Sequence, residues 1–409
     1  MARELAIWLY GSRVGVVEEE RQRLRLRYTP EALEANELGT PLLSVALPLV
    51  PEAYANATTR AFLDGLLPEG EPRRTLAEDL KLRADDTFGL IAALGGDTAG
   101  ALVIQAADLP APPRPTTLTS EALSDAQLAD LAANLRSAPL GIGKRVRISL
   151  AGMQEKLLLT LRPDRTWGRP VDGTPSTHIL KPAIREYPDS VENEAFCMRL
   201  AARLGLEVPE VETITTSLGQ KLLVVTRYDR IINEDGGVER VHQEDLCQAT
   251  GRPPSRKYEE DGGPSWREVA GVVQAFDSEG LDALVRAMAL HVLIGNGDGH
   301  AKNLSLLHLP SGKLQLAPLY DLLSTLSYGD DRLAMYVDSV QRTIRATGKR
   351  VVNEAASWGL SRSRATEILG DLLNRVPEAV TGAAEETPGI PEHFRKTVTD
   401  QSDILRSDL

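Results

Sequence analysis

Cysteine is scarce in this chain, which contains two among its 409 residues. Cys197 and Cys247 both lie in apolar patterns with helical spacing, so we expect them to be reduced residues of the core. This usage argues against a fold that depends on disulfides and against a cysteine-based metal site. It is typical of a cytoplasmic protein.

The chain also lacks an excess of positive charge and long hydrophobic runs. Its net charge of −12 at pH 7 argues against a protein that binds DNA or an anionic membrane on its own. No apolar run approaches the roughly 20 residues that span a bilayer. The first residues, MARELAIWLYG, lack the basic start and long apolar core of a signal peptide. We therefore expect a cytoplasmic protein with no membrane contact.

A glycine-rich phosphate loop is missing as well. The stretch GGDTAG (95–100) lacks the GxGxxG spacing and no helix follows it, so it is interpreted as a turn. The segment AGMQEK (151–156) contains a single glycine and lies between the alternating KRVRISL and the apolar LLLTL. Strand, tight loop and strand is the geometry of a nucleotide lid, although an ordinary hairpin is the commoner source of this pattern.

The most informative stretch is HVLIGNGDGHAKN, from His291 to Asn303, where an apolar helix ends in a polar loop. Asp298 is followed five positions later by Asn303, which is the spacing of a protein-kinase catalytic loop. There the aspartate accepts the proton of the substrate hydroxyl and the asparagine holds Mg²⁺. Phosphoryl transfer requires this kind of positioned base and metal ligand. His291 lies within the apolar pattern and is interpreted as a core residue.

A second carboxylate follows in LQLAPLYD (Leu314 to Asp321). The alternating pattern predicts a strand that delivers Asp321 to the site, where a kinase keeps its metal-binding aspartate. The alternative is that Asp298 and Asp321 are surface acids of unrelated loops. Asp298, Asn303 and Asp321 together, each behind an apolar element, favour the kinase interpretation.

Two further segments fit the nucleotide side of such a site. STHILKP predicts a short edge strand that carries Lys181 and stops at Pro182. A kinase uses a strand lysine to hold the α- and β-phosphates, although a lone lysine on an edge strand is usually only solvated. KLLVV predicts a strand that leads into Thr226, Arg227 and Tyr228, a candidate hinge whose backbone could face an adenine.

The remaining patterns predict the organisation of the chain. At 409 residues it exceeds one ordinary core, so two or three domains are expected. Gly11 and Ser12 indicate a hairpin, residues 120–135 an amphipathic helix, and the last twenty or so residues a frayed end. DLPAPPRPTT (108–117), with four prolines, is interpreted as a connector.

Several segments in this order carry a resemblance that covers nearly the whole chain: RISLAGMQEK, THILKP, NEAFC, RYDR, HQEDLCQATG, KYEEDGGP, NGDGHAKN and PLYDLLS. Together they resemble the HipA family, the serine/threonine-kinase toxins of HipBA-type toxin–antitoxin modules. The resemblance implies an α+β, protein-kinase-like two-lobed core, with a mixed α/β small lobe and a mostly helical large lobe. It divides the chain into an N-terminal α/β domain of HipA type (1–107), the connector (108–117), the small nucleotide-binding part (118–228) and the helical catalytic lobe (229–409).

The same resemblance implies roles for individual residues. Asp298 matches the catalytic aspartate, Asn303 and Asp321 match the Mg²⁺ ligands, and Ser149 matches the autophosphorylated serine. The expected nucleotide contacts are Ala151, Gly152, Met153, Gln154, Glu155, Lys156, Lys181, Thr226, Arg227, Tyr228, His300, Lys302, Asn303, Tyr320 and Asp321. The best-known member of the family has an acid where this chain has Thr226, so only the backbone of Thr226 is expected to act in the hinge.

The implied activity is an ATP-dependent serine/threonine kinase that uses Mg²⁺ and modifies a translation component such as an aminoacyl-tRNA synthetase. The implied partner is a HipB-like helix-turn-helix antitoxin, through which alone the acidic chain would meet operator DNA. Two alternatives stay open. One is a DNA-associated co-repressor that acts through the antitoxin. The other is a small-molecule kinase, which shares the Asp…Asn loop but lacks the AGMQEK and HQEDLCQ elements.

Overall fold

The computed structural model describes residues 3–112, 119–135, 150–152, 154–171, 173–233, 237–277 and 279–409. Its strands, in chain order, are β1 (Arg3–Leu9), β2 (Ser12–Glu20), β3 (Arg23–Tyr28), β4 (Leu102–Ala106), β5 (Ser120–Ala122), β6 (Leu157–Leu161), β7 (Trp167–Pro170), β8 (His178–Pro182), β9 (Val211–Thr215), β10 (Lys221–Thr226), β11 (Arg230–Ile232), β12 (Val238–Arg240), β13 (His242–Asp245), β14 (Ser305–His308), β15 (Leu314–Leu316), β16 (Arg332–Val337) and β17 (Val340–Arg342).

The α-helices alternate with these strands early in the chain and dominate its end. They are α1 (Pro30–Ala35), α2 (Asn56–Gly65), α3 (Gly70–Asp79), α4 (Thr87–Leu94), α5 (Asp125–Ala133), α6 (Ser190–Arg203), α7 (Leu246–Ala249), α8 (Trp266–Phe276), α9 (Gly280–Ile294), α10 (Gly348–Ser357), α11 (Arg362–Glu385) and α12 (Glu392–Arg406). The predicted α+β class is confirmed. The chain forms two compact units: Met1–Pro182 with Ile214–Glu244 and Gly251–Pro254, and Ala183–Thr213 with Asp245–Thr250 and Ser255–Leu409.

The first unit begins with an antiparallel sheet in the order β3-β2-β1-β4. The predicted hairpin is confirmed, because Leu9 pairs with Ser12 across a two-residue loop. Both loop residues, Tyr10 and Gly11, have positive φ, which matches the twist that a tight hairpin needs. The inner face of the sheet joins residues of α2 and α4 in one hydrophobic core: Leu5, Ile7, Leu24, Leu26, Phe62, Leu63 and Ile91.

A second sheet of the same unit has neighbouring strands in the order β5-β7-β6-β8-β10. Its apolar face packs on α5 through Leu157, Leu159, Leu180, Leu222, Val224 and Leu128. Two predictions about this region were wrong. The segment 120–135 is not helical throughout, because it opens with strand β5 and α5 starts only after a capping box at Ser124. Strand β8 is not an edge strand, because it pairs with both β6 and β10.

The second unit is built mainly of helices around the long apolar helix α9, which contacts α8, α11 and α12. The end of the chain is not frayed, in contrast to the prediction. In α12, Phe394, Val398 and Leu405 are fully buried at spacings of about one or two helical turns. Those few apolar residues form one face of the helix. Because the neighbouring positions are polar, the mean hydropathy of the segment does not indicate that face.

Two compositional predictions can also be compared with the structure. Cys197 and Cys247 are both buried, and neither is part of a disulfide, as predicted. Among the described residues, the helices are all too short or too polar to cross a bilayer.

Candidate active site

The predicted catalytic loop begins where helix α9 ends. Gly295 closes the helix in the left-handed conformation, with φ of 63°. A Cβ atom at this position would lie 2.5 Å from Cβ of Leu326, so the sequence requires glycine for two reasons. The chain then turns back, and the backbone N–H of Asn296 donates to the carbonyl of His291. The loop is thereby fixed against a buried helix.

Asp298 and Asn303, the predicted base and metal ligand, lie together in this loop. The side-chain amide of Asn303 donates to the backbone carbonyl of Asp298 at 2.9 Å. The backbone N–H of Asp298 donates in turn to the side-chain oxygen of Asn296 at 3.0 Å. The Asp298 side chain is 45% exposed while its neighbour His300 is 5% exposed. A fixed backbone therefore presents a carboxylate that solvent and a substrate can reach.

The backbone of Asp321 meets the same loop. The side-chain nitrogen of Asn296 approaches the Asp321 carbonyl at 3.5 Å, so this one amide bonds to both segments. The predicted strand is shorter than expected, because β15 ends at Leu316 and Asp321 follows in an irregular segment with φ of 53°. A non-glycine residue with positive φ costs free energy and is found where the surroundings hold it.

Helix α6 supplies part of that support. The side-chain amide of Asn193 donates to the carbonyl of Ser324 at 3.1 Å and accepts from its N–H at 2.9 Å. The hydroxyl of Tyr328 donates to Asp189, just before the helix, at 2.8 Å. The segment after Asp321 is therefore held at two points.

His300 is a neutral side chain beside the predicted base. Burial lowers its pKa to about 3, and the positive charges of Lys257 and Lys302 act in the same direction. Its Nε2 lies 3.7 Å from Oδ1 of Asp298, beyond normal hydrogen-bonding distance. As a neutral imidazole it forms no ion pair with the Asp298 carboxylate.

Lys302 and Tyr320, both predicted nucleotide contacts, hold the loop in place. The ammonium of Lys302 forms a buried ion pair with Asp245, the N-cap of α7. The hydroxyl of Tyr320 donates to the Lys302 carbonyl at 2.7 Å and bonds to the Ser305 hydroxyl at the same distance. Their direct contact with a nucleotide stays a prediction.

The predicted metal ligands fit Mg²⁺ better than a metal that needs an all-protein site. The described part of the chain contains no group of three or more His, Cys, Asp and Glu side chains arranged for a metal. Asn303 and Asp321 offer one amide and one carboxylate oxygen donor. Mg²⁺ is usually held by one or two carboxylates while substrate phosphates and water complete its shell. These donors therefore fit a Mg²⁺ ion bound together with a nucleotide.

The predicted phosphate loop contacts an earlier segment of the first unit. Gly152 pairs with Pro68, and the N–H of Glu69 donates to the Gly152 carbonyl at 3.1 Å. Gly152 has φ of 117°, a value that favours glycine. The ammonium of Lys156 donates to the carbonyl of Ala151 at 2.7 Å and closes the loop on itself. Gln154 and Glu155 are half-buried, whereas Met153 and Ser149 lie outside the described residues.

Lys181 and the predicted hinge lie on adjacent strands of the second sheet. Lys181 is buried on β8 and pairs with Leu223, while Thr226 ends β10 opposite His178. The Tyr228 hydroxyl bonds to the Gln243 side chain. The Arg227 guanidinium donates to both carboxylate oxygens of Asp229, at 2.9 and 2.7 Å. The backbone N–H of Arg227 donates to the carbonyl of Thr177 at 2.9 Å, and its own carbonyl accepts from the N–H of Arg230 at 3.3 Å. A nucleotide contact by Arg227 stays a prediction.

Arg227 belongs to a buried charge cluster, which we define as Asp97, Asp229, Arg227, Arg230 and Arg240. Oδ1 of Asp97 accepts from Arg230 at 2.8 Å, and its Oδ2 accepts from the N–H and hydroxyl of Ser176. Burial alone raises the pKa of Asp97, but the three arginines lower it well below its ordinary value. No pattern in the sequence indicated this cluster, because Asp97 lies in the stretch interpreted as a simple turn.

Comparison with known proteins agrees with these features. The model of the HipA N-terminal domain matches residues 5–105, and that of the HipA-like C-terminal domain matches residues 148–380. The chain belongs to the HipA family. "Putative kinase Y4mE" of Sinorhizobium fredii is 36% identical over all of this chain and 99% of its own length. The "Serine/threonine-protein kinase toxin HipA" of Shewanella oneidensis is 30% identical over 87% of this chain and 83% of its own.

A solved structure supports the same assignment to the HipA family and its kinase-like fold. The complex of Shewanella oneidensis HipA, HipB and operator DNA contains a chain that matches 98% of this one. The match covers 96% of that chain, with a TM-score of 0.83 and 25% identity. The N- and C-terminal HipA models together span both units described above.

Two residues of this HipA-family site were not predicted from the sequence. Asn296 had no predicted role, whereas its amide joins the loop to Asp321. Tyr258 lies within KYEEDGGP and had no predicted role, yet its hydroxyl donates to Oδ1 of Asp298 across 40 positions of sequence. A contact at that separation has no periodic signal, so only the family resemblance of the segment could have pointed to it.

Proposed function

We propose that this HipA-family chain is an ATP- and Mg²⁺-dependent serine/threonine protein kinase and the toxin of a type II toxin–antitoxin module. The observation that carries the proposal is the meeting of two separated segments through Asn296. Its amide contacts the N–H of Asp298 and the carbonyl of Asp321, while Asn303 bonds to the Asp298 backbone. This arrangement supports Asp298 as the base, and Asn303 and Asp321 as the metal ligands, that phosphoryl transfer needs.

In the proposed reaction, Asp298 accepts the proton of a serine or threonine hydroxyl as that oxygen bonds to the γ-phosphorus of ATP. Asn303 and Asp321 would hold the Mg²⁺, which neutralises charge on the phosphate oxygens. The loop from Ala151 to Lys156, with Lys181, would bind the phosphates. The backbone of Thr226 to Tyr228 would contact the adenine.

Transfer of labelled γ-phosphate from ATP tests this function. In Asp298→Asn the carboxylate is replaced by an amide of similar shape, and we expect transfer to fall about 10²- to 10⁴-fold, since a positioned base contributes that much. The exposed Asp400→Asn on α12, which loses only a surface pair with Lys396, serves as the matched control. Label on serine or threonine of a protein supports a protein kinase. Label confined to a small molecule, or full activity of Asp298→Asn, contradicts the proposal.

The proposed protein substrate is a translation component such as an aminoacyl-tRNA synthetase, and Ser149 is the proposed site of autophosphorylation. Phosphate on Ser149 would add about −1.5 to −2 charges just before the phosphate loop and silence the kinase. We expect Ser149→Ala to lose self-phosphorylation and to stay active longer with ATP. Phosphate that still accumulates on the variant while its activity decays contradicts this part.

The proposed partner is a HipB-like helix-turn-helix antitoxin, through which the chain would reach operator DNA. The complex from Shewanella oneidensis, which holds HipA, HipB and operator DNA, favours this second role as a co-repressor. The net charge of −12 requires the basic surface to come mainly from the partner. Binding of operator DNA by Asp298→Asn only in the presence of the antitoxin would separate this role from catalysis.

A further inference from the structure

Tyr258 lies outside the catalytic loop in the sequence but contacts two residues of that loop. Its hydroxyl donates to Oδ1 of Asp298, and its ring meets the edge of His300 with centroids 5.1 Å apart and planes at 82°. The ammonium of Lys257 lies 5.7 Å from the centre of the Tyr258 ring. These contacts direct the phenol toward the predicted base and not toward solvent.

The backbone of Tyr258 is held as firmly as its ring. Its carbonyl accepts from the N–H groups of Asp261 and Gly263, at 3.1 and 2.8 Å. A Cβ on Gly263 would lie 2.6 Å from that carbonyl, so this turn needs glycine. The next residue, Glu259, accepts from the N–H of Tyr336 on β16 at 2.7 Å. The position of Tyr258 is therefore fixed, so its hydroxyl can hold the side chain of Asp298 in place.

We propose that Tyr258 is a positioning residue for phosphoryl transfer, an inference that rests on the proposed function. An aspartate carboxylate that is 45% exposed rotates broadly about its last torsion unless a partner holds it. The phenol holds one carboxylate oxygen, Oδ1, and thereby orients the other toward the substrate hydroxyl. The substrate oxygen bonds to the γ-phosphorus as the bond from that phosphorus to the nucleotide's bridging oxygen breaks. The proton of the substrate hydroxyl passes to Oδ2 of Asp298.

The chemistry of the donor matters for this role. A tyrosine hydroxyl orients the carboxylate without cancelling its charge, whereas a lysine in its place would pair with the charge and weaken the base. Nε2 of His300 lies 3.7 Å from the same Oδ1 atom, beyond normal hydrogen-bonding distance. The hydrogen bond from Tyr258 therefore orients the carboxylate without placing a positive charge on it.

Tyr258→Phe in the full chain tests the inference. The variant keeps the ring and its contact with His300, so we expect unchanged thermal unfolding and an unchanged KM for ATP. Loss of the orienting hydroxyl should lower kcat about tenfold, because small errors in the position of a reacting group cost this much or more. Tyr187→Phe, which removes the hydroxyl of an exposed tyrosine in the same unit, is the matched control with wild-type kcat.

A double-mutant cycle distinguishes positioning from a general structural role. If Tyr258 acts through Asp298, Tyr258→Phe should reduce activity in the wild-type background and have no further effect in Asp298→Asn. An equal loss in both backgrounds, unchanged kcat, or a higher kcat because the phenol blocks the substrate, overturns the inference. A wild-type chain that transfers no phosphate contradicts the proposed function, and this inference fails with it.

Discussion

Asn296 carries no charge, yet its side-chain amide touches three parts of the candidate site. It accepts from the Asp298 N–H, lies 3.1 Å from Nδ1 of His291, and approaches the Asp321 carbonyl. An amide suits this position because it has both an acceptor and a donor end, which a carboxylate lacks. One uncharged side chain thus helps to fix the predicted base relative to the segment that carries the predicted metal ligand Asp321.

We predict that Asn296→Ala lowers phosphoryl transfer about 10- to 100-fold, because the loop and the backbone of Asp321 lose the amide that bonds to both. Buried partners left unpaired should also cost about 1–3 kcal/mol of unfolding free energy. Asn36→Ala, which removes a single bond to a carbonyl of α1, is the matched control. Kinetics and thermal unfolding of both variants provide the measurement. An Asn296→Ala variant with wild-type kcat would show that the two segments are held in other ways.

Two buried histidines make stability depend on pH. Burial lowers the pKa of His178 and of His291 to about 4, and for His178 the charge of Arg165 adds to the effect. Their ordinary pKa is about 6.5, so between pH 6.5 and 4 the unfolded chain binds protons that the folded chain does not. Stability should therefore fall as pH falls through this window.

The expected loss is about 2 kcal/mol for each histidine between pH 6.5 and 5. The midpoint of thermal unfolding, measured at pH 7, 6 and 5, checks the direction of the change. His178→Phe keeps a ring against Trp167, which His178 meets edge-on, and should show a shallower dependence on pH than the wild-type chain. A midpoint that rises on acidification would contradict the prediction.

At the scale of an element, α12 illustrates what a local reading of sequence misses. Its apolar residues are few and are separated by charged and polar ones, so the segment was expected to fray. In the folded chain those residues share one face, which is buried where α12 contacts α9 and α11. Tertiary packing, and not helix propensity, stabilises such a helix.

We predict that Phe394→Ala destabilises the second unit by about 3–5 kcal/mol, because it leaves a cavity at a fully buried site. Arg395→Ala, at the next and exposed position of the same helix, should change stability by less than about 0.5 kcal/mol. Denaturant unfolding followed by circular dichroism measures both. Equal, small effects would mean that the end of the chain frays after all.

Across the molecule, the features that could be predicted from the sequence are those that join residues close together in the chain. The spacing of Asp298 and Asn303 and the hairpin at Gly11 are local features, and both can be recognised from a short stretch of sequence. The contacts of Tyr258 with Asp298 and of Asp97 with Arg230 join residues 40 and 133 positions apart. Pairings of that range depend on the complete fold, so spacing and periodicity contain no trace of them.

The buried charge cluster gives a prediction at this scale. Asp97→Asn should destabilise the first unit by about 3–5 kcal/mol, because removing one partner of a buried ion pair leaves the other charge uncompensated. The side chains of Arg230 and Asp97 are 1% and 4% exposed, so little solvent reaches the cluster. Asp85→Asn, in an exposed pair with Arg83, is the control with little effect. Unfolding curves of the two variants that coincide would contradict this account.

The buried charge cluster can form only after the later of its two segments has been synthesised. Asp97 leaves the ribosome 133 residues before Arg230, which at about 5–20 residues per second is an interval of roughly 7 to 27 seconds. Throughout that interval the nascent N-terminal sheet has no arginine from the later segment to neutralise its aspartate. A message truncated before codon 227 would therefore yield an N-terminal fragment that lacks these counter-charges, even though its own sheet is fully translated.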